Sequence, residues 1–224
     1  SQRHATYAEH LQQLDKAGLI YPCACSRKEI DDANAHRAAG ENRVYPGTCA
    51  QGMPVGRQAR AIRFRCPQAA ISWQDQRLGL ITDHLPSSSG DFVLKRGDGY
   101  WAYHLVVVVD DMLSNITHIV RGEDLADTTA RQIALYQAFN APSPEYWHLP
   151  VVLADDGQKL SKQTGATALD LSQPINNLNQ VWAHLGYEPI FQTAGTSQES
   201  GNAGASSTKP ADWLKAALQV WQQT

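Results

Sequence analysis

Lys159-Leu160-Ser161-Lys162-Gln163 sets two lysines around a small hydroxyl residue, just after an apolar stretch and a turn at Asp156-Gly157. Such a loop suits a phosphate clamp. When pyrophosphate leaves ATP, charge moves onto the leaving oxygens, and a held ammonium stabilises that state more than the ground state. Lysine acts there as a point charge and not as a base. Taken alone, the five residues also describe an ordinary exposed basic loop. A second group is Cys23-Ala24-Cys25 with Cys49. Cys23 and Cys25 bring two thiolates to one point, and Cys49, beyond a polar insert, leaves a tetrahedral zinc site one ligand short. Cys66 reads as a buried thiol, and His118 and His148, on or beside apolar stretches, as hydrogen-bonded core histidines.

These groups need a frame. Tyr7, Leu11 and Leu14 predict an opening helix that stops at Gly18, and residues 27–40 a polar, alanine-rich helix. Residues 61–65 alternate, with Ile62 and Phe64 on one face of a half-buried strand and Arg63 and Arg65 on the other. Asp91 to Trp101 predicts a hairpin turning at Gly97-Asp98-Gly99. Val106 to Val109 fits a strand by propensity or a buried helix segment equally well. Thr117 to Val120 predicts a buried strand, followed by a helix capped near Asp127-Thr128 that buries Ile133, Tyr136 and Phe139. Leu149 to Leu153 predicts a further strand. Strands alternating with helices imply an α/β domain with a largely parallel sheet. Residues 193–208, rich in Gly, Ala, Ser and Thr, read as a linker before a last helix with Trp213, Leu214, Leu218 and Trp221.

With 224 residues the chain can build one sizeable core, and its net charge of −3 excludes broad electrostatic adhesion to nucleic acid. Arg57, Arg60, Arg63 and Arg65 form the one basic strip, either a solvated strand face or a guide for a single strand. Four cysteines are too few for a disulfide scaffold at this length and suit a reducing compartment. No apolar run approaches the roughly 20 residues that span a bilayer, and no signal-peptide pattern opens the chain. A cytoplasmic protein is expected.

In order along the chain stand Tyr103, Val109-Asp110-Asp111, Val120-Arg121-Gly122-Glu123-Asp124-Leu125, Arg131-Gln132 and the lysine loop. This series resembles the glutamyl branch of the class I aminoacyl-tRNA synthetases over nearly the whole chain. The resemblance implies a partial Rossmann-like catalytic domain with a small zinc-binding insertion and a helical C-terminal part. Residues 1–20 would belong to the first half of the catalytic domain, 21–56 to the insertion, 57–163 to the second half, and 164–224 to the helical part. Lys159, Leu160, Ser161, Lys162 and Gln163 would form the second ATP signature, with Lys162 the catalytic lysine on the phosphates. Tyr103 and Arg121 would line a glutamate pocket, a role that fits a two-pronged arginine grip on a carboxylate. An internal ion pair of Arg121 with Glu123, Asp124 or Asp111 is the competing reading.

The usual bacterial members of that family complete their zinc site with a second cysteine and a histidine, but Ala50-Gln51-Gly52 follows Cys49 here. Tyr45, four residues before Cys49, resembles instead the ligand of the shortened glutamyl-queuosine tRNA(Asp) synthetase branch; His36 or water is the alternative. That branch implies L-glutamate, ATP with Mg²⁺, a structural Zn²⁺ and tRNA(Asp) carrying queuosine, with a monomer expected. Two other readings remain: a truncated enzyme charging tRNA(Glu), and a zinc-stabilised RNA- or protein-binding module without catalysis. The resemblance places an upstream ATP signature outside this chain, which alone is expected to be inactive.

Overall fold

Tyr7, Leu11 and Leu14 line the buried face of α1 (His4–Lys16), and Gly18, at φ 70°, turns the chain away beyond it. The computed structural model describes residues 3–38, 41–154, 157–161, 165–188, 190 and 209–222. They fall into two units, Ser1–His148 and Leu149–Thr224. After α1 come β1 (Ile20–Cys23), α2 (Arg27–Ala33), β2 (Ala61–Phe64), β3 (Ile71–Asp75), β4 (Gly79–Asp83), α3 (Leu85–Ser88) and β5 (Phe92–Arg96). Then follow α4 (Tyr103–Leu113), β6 (His118–Gly122), a 3-10 turn over Glu123–Thr128, α5 (Thr129–Ala138) and β7 (Glu145–Leu149).

β2 lies between β1 and β5 in an antiparallel three-stranded sheet. A second sheet has the order β4-β3-β7-β6, with β3 antiparallel to β4 and parallel to β7. Parallel pairing, expected from the alternation of strands and helices, is thus found between β3 and β7. The short β3–β4 connection can only join antiparallel neighbours.

Val106 to Val109 are helical. Leu105, Val108 and Val109 recur at helical spacing and are buried on α4, so packing outweighs the strand propensity of four valines. They meet Tyr7, Leu11 and Leu14 from α1, Ile133, Leu135 and Tyr136 from α5, and Phe64, Phe92 and Leu94 from the first sheet. Asp110 ties α1 to this layer: it accepts the Tyr7 hydroxyl at 2.9 Å and Arg3 Nη1 at 2.9 Å.

Four expectations are corrected. The strand at 117–120 forms as β6, but it is an edge strand with Val120 60% exposed, because it has a partner strand on one side only. His118 on it is exposed, not a core histidine. The strand expected at 149–153 lies upstream, over Glu145–Leu149; Pro150 has no N–H to extend a ladder, and only a bridge from Leu153 to Lys159 follows. Thr128 does not cap α5 through its side chain. Its hydroxyl donates to Leu125 O at 2.7 Å, within the preceding 3-10 turn.

The hairpin after Asp91 forms with a return limb reduced to one bridge, Lys95 to Trp101. In the second unit, α6 (Pro174–His184) and α7 (Pro210–Trp221) bury Trp182, Trp213 and Ala217 together. Trp213 Nε1 donates to Asn179 at 2.7 Å. Leu214, Leu218 and Trp221 face outward. The predicted linker at 193–208 lies outside the described residues. Among the described residues no helix is long and apolar enough to cross a membrane.

Candidate metal centre and candidate active site

β1 delivers Cys23 to the end of the first sheet, and the chain leaves it through Cys25 into α2. A capping box, Ser26 with Glu29, fixes where that helix begins. Asn34 closes the excursion: its amide donates to Val44 O at 2.8 Å and accepts from Val44 N at 2.9 Å. Tyr45 N then donates to Ser89 O at 2.9 Å. Gly90 sits against that contact, where a Cβ would meet Tyr45 O at 2.4 Å, and its φ of 66° independently favours glycine.

The result is a small core of Tyr21, Cys23, Ala24, Tyr45 and Cys49. The three sulfurs of Cys23, Cys25 and Cys49 lie within 4.8 Å of one another. The Tyr45 hydroxyl is 3.3 Å from Cys23 Sγ and 3.6 Å from Cys25 Sγ, and accepts the Cys49 N–H at 2.9 Å. Burial opposes ionisation of Cys23, but hydrogen bonds from Tyr45 and Arg63 outweigh it and hold the thiol below its usual range. Burial raises Cys25. Three soft donors converging with one open corner could hold a metal such as zinc. His36 is exposed and does not belong to the cluster. Cys66 is buried apart from it, its thiol pushed up to about 12 by burial and by Asp91.

The basic strip is mostly not a solvated face. Arg63 is only 7% exposed; its guanidinium lies 3.7 Å from the Tyr45 ring centroid and donates to Asp91 O at 2.8 Å. Arg63 keeps the alternation of β2, on the face opposite Ile62 and Phe64, and the cysteine segment covers that face. Arg65 lies over Tyr21 and donates to Ala50 O, while Arg57 pairs with Glu29 and donates to Ala24 O. Three of the four arginines therefore brace the cysteine segment. Arg60 alone has no side-chain partner among the described residues.

Arg121, at the end of β6, is the centre of a different arrangement. Its Nε donates to His148 Nε2 at 3.0 Å, Nη1 to Gln132 at 2.9 Å, and Nη2 to Thr129 at 2.8 Å and more weakly to Leu125 O at 3.4 Å. Accepting at Nε2 makes His148 neutral with its proton on Nδ1, which donates to Asp75 at 2.6 Å. Both Asp75 and His148 are fully buried. Burial alone would raise the Asp75 carboxyl, yet bonds from Leu78 N, His148 and Arg77 N hold it below the usual range. The competing reading of Arg121, an ion pair with Glu123, Asp124 or Asp111, finds no such contact among the described residues; Glu123 pairs with Arg77. Every acceptor touching Arg121 is neutral, so its charge is oriented but not cancelled by a touching carboxylate.

Tyr103 opens α4 and is 52% exposed. Tyr146 lies beside Arg121, whose guanidinium is 5.4 Å from its ring centroid. Burial pushes the Tyr146 phenol up to about 12, with Ser143 and Arg121 opposing and Asp111 and Tyr103 adding to the rise. Beside them Gln132 Nε2 and Tyr136 OH are buried without a partner. In the second unit, Lys159, Leu160 and Ser161 follow a turn in which Leu160 N donates to Val152 O at 2.8 Å. Lys162 and Gln163 lie outside the described residues.

Residues 1–180 match the family of class I tRNA synthetases (E and Q), catalytic domain. The chain belongs to this family. A glutamyl-Q tRNA(Asp) synthetase of Janthinobacterium sp. (strain Marseille) is 51% identical over 183 residues, 80% of this chain and 62% of the relative. Enzymes of the same name from Leptothrix cholodnii and Cupriavidus metallidurans are 52% and 46% identical, with 73% and 68% of their lengths covered. The chain thus spans less than two thirds of the first of these relatives. Among solved structures, a glutamate tRNA ligase from Elizabethkingia meningosepticum in complex with its amino acid aligns with a TM-score of 0.60 at 26% identity, over 74% of this chain and 36% of that one.

Within this synthetase catalytic domain, sequence reasoning missed Asp75 and the burial of Arg63. Asp75 carries no local signal, because its partner His148 arrives through a strand from the far end of the unit. Arg63 follows the alternation of its strand, and the strand itself carries no mark of the cysteine segment that covers that face.

Proposed function

We propose that this chain is the part of a glutamyl-queuosine tRNA(Asp) synthetase that holds the glutamate carboxylate and the zinc-binding insertion. The enzyme would activate L-glutamate with ATP and Mg²⁺ as glutamyl-adenylate and transfer it to queuosine in the anticodon loop of tRNA(Asp). One observation supports the reading: the Tyr45 hydroxyl lies 3.3 Å from Cys23 Sγ and 3.6 Å from Cys25 Sγ, where it could serve as the fourth ligand, and among the described residues no histidine or fourth cysteine joins the cluster. The names and identities of the relatives support it.

Arg121, held by Thr129, Gln132 and His148, would meet the substrate carboxylate, and Tyr103 would orient the amino acid beside it. Lys162, with Lys159, Leu160, Ser161 and Gln163, would meet the ATP phosphates and stabilise the departing pyrophosphate. No covalent enzyme intermediate is needed. Cys23, Cys25, Tyr45 and Cys49 would hold structural zinc, which fixes the segment between β1 and β2.

The test is glutamate charging by the complete gene product, with queuosine-containing tRNA(Asp) and tRNA(Glu) compared in one assay. Charging of tRNA(Asp) alone is expected. Charging of tRNA(Glu) would make the protein a translation enzyme, and charging of neither would favour a binding module.

A further inference from the structure

A groove of about 550 Å³ runs between α2 and the end of the β2–β5 pair. Arg27, Arg43, Arg60, Arg63 and Arg96 line it against only Asp31 and Asp98, three positive charges in excess on a chain whose net charge is −3. Arg43 is paired with Asp31 and Arg96 with Asp98. The side chains of Arg27 and Arg60 have no partner among the described residues. The floor is backbone: a Cβ on Gly97 would meet Arg60 O at 2.6 Å, so the turn after β5 packs directly on the segment leading into β2. Arg96 of the lining reaches outward to Tyr100, 66% exposed, with its guanidinium 5.8 Å from the ring.

We propose that this groove binds the phosphodiester backbone of a single-stranded RNA loop, with Arg27 and Arg60 on phosphates and Tyr100 stacked on a base. At an open groove an unpaired guanidinium meets phosphate chiefly as a positive charge that displaces a counterion, which a lysine there can also supply. An exposed aromatic ring interleaved with cations is the arrangement that takes unstacked bases, and an acidic peptide would not need it. The proposal rests on the reading of the chain as part of an enzyme acting on tRNA, and names where the loop of that RNA lies.

The experiment uses the complete gene product, with tRNA(Asp) binding measured across salt concentrations and glutamate-dependent ATP–pyrophosphate exchange measured in parallel. In R27A/R60A the affinity is expected to fall about tenfold near physiological salt, and the slope of log K against log salt to shrink by about 1 to 2. R27K/R60K should recover most of the loss. Tyr100→Ala should weaken binding several-fold with the salt slope unchanged. Exchange should stay at the wild-type rate in all three. Wild-type affinity and slope in R27A/R60A would overturn the proposal, as would a loss that the lysine variant does not repair, or arginine-dependent binding of polyglutamate in place of RNA. Arginine-dependent RNA binding without any glutamate-dependent exchange would instead remove the synthetase reading and leave the groove standing.

Discussion

The thiol cluster and the Arg121 network are both convergences of polar groups, but they are assembled from different distances along the chain. Cys23, Cys25, Tyr45 and Cys49 are drawn together by one capped helix and one asparagine clamp. Arg121 takes Thr129 and Gln132 from the next helix, His148 from a neighbouring strand, and through His148 reaches Asp75 on β3. A local convergence shows in sequence spacing, whereas a network closed through a sheet depends on strand order. The two also differ in charge: the cluster gathers potential anions braced by arginines, and the network sets one cation against neutral acceptors, with the Asp75 carboxylate behind His148.

Breaking the network at its far end should have the largest effect. Asp75→Ala removes the acceptor of the buried His148 Nδ1–H and of three backbone N–H groups, those of Arg77, Leu78 and His148, and should cost about 3–4 kcal/mol by denaturant unfolding. In the complete gene product it should also raise the KM for glutamate, because His148 no longer orients Arg121. An unchanged KM would separate the network from the substrate.

Acid should test the same region next. His104, packed on Phe92 and Tyr103 and 3.3 Å from Arg131, is held down to about 4 by burial, with Arg131 and Arg121 adding to the shift. Between its ordinary 6.5 and 4 the unfolded chain takes up a proton that the folded chain refuses. Stability should therefore fall as pH drops through that window, by about 3 kcal/mol at its lower end. His104→Gln should flatten that part of the stability profile, and an identical slope in the variant would remove His104 as its source.

Gly90→Ala should be the mildest change and should act on the other region. The methyl group would press on Tyr45 O at a left-handed φ, for a cost of about 1–2 kcal/mol. Its specific signature is a drop of about tenfold in zinc affinity, as expected when a supporting contact of a ligand is displaced. Stability loss with undiminished affinity would place Tyr45 outside the metal's reach.

Much of the molecule was legible in the residues themselves. The α1 stripe, the helix after Cys25, the hairpin turn at Gly97 to Gly99 and the burial of Cys66 and His148 follow from periodicity, capping and turn chemistry. The cysteine spacing named the cluster, and the ordered motifs named the family, because local chemistry leaves local marks. Four consecutive valines could not say whether they form strand or helix; α4 exists because Leu105, Val108 and Val109 find a common core.

What only the tertiary structure decided is where charges end up. The cysteine segment folds over the face of β2 that carries Arg63 and sets it on the Tyr45 ring, and sheet order brings Asp75 behind His148 and so behind Arg121. The same packing leaves Arg27 and Arg60 unpaired along one groove. Sequence fixes which side chains are charged, but electrostatic energy depends on separation and on exclusion of water, and both are set by elements that meet only when the chain folds.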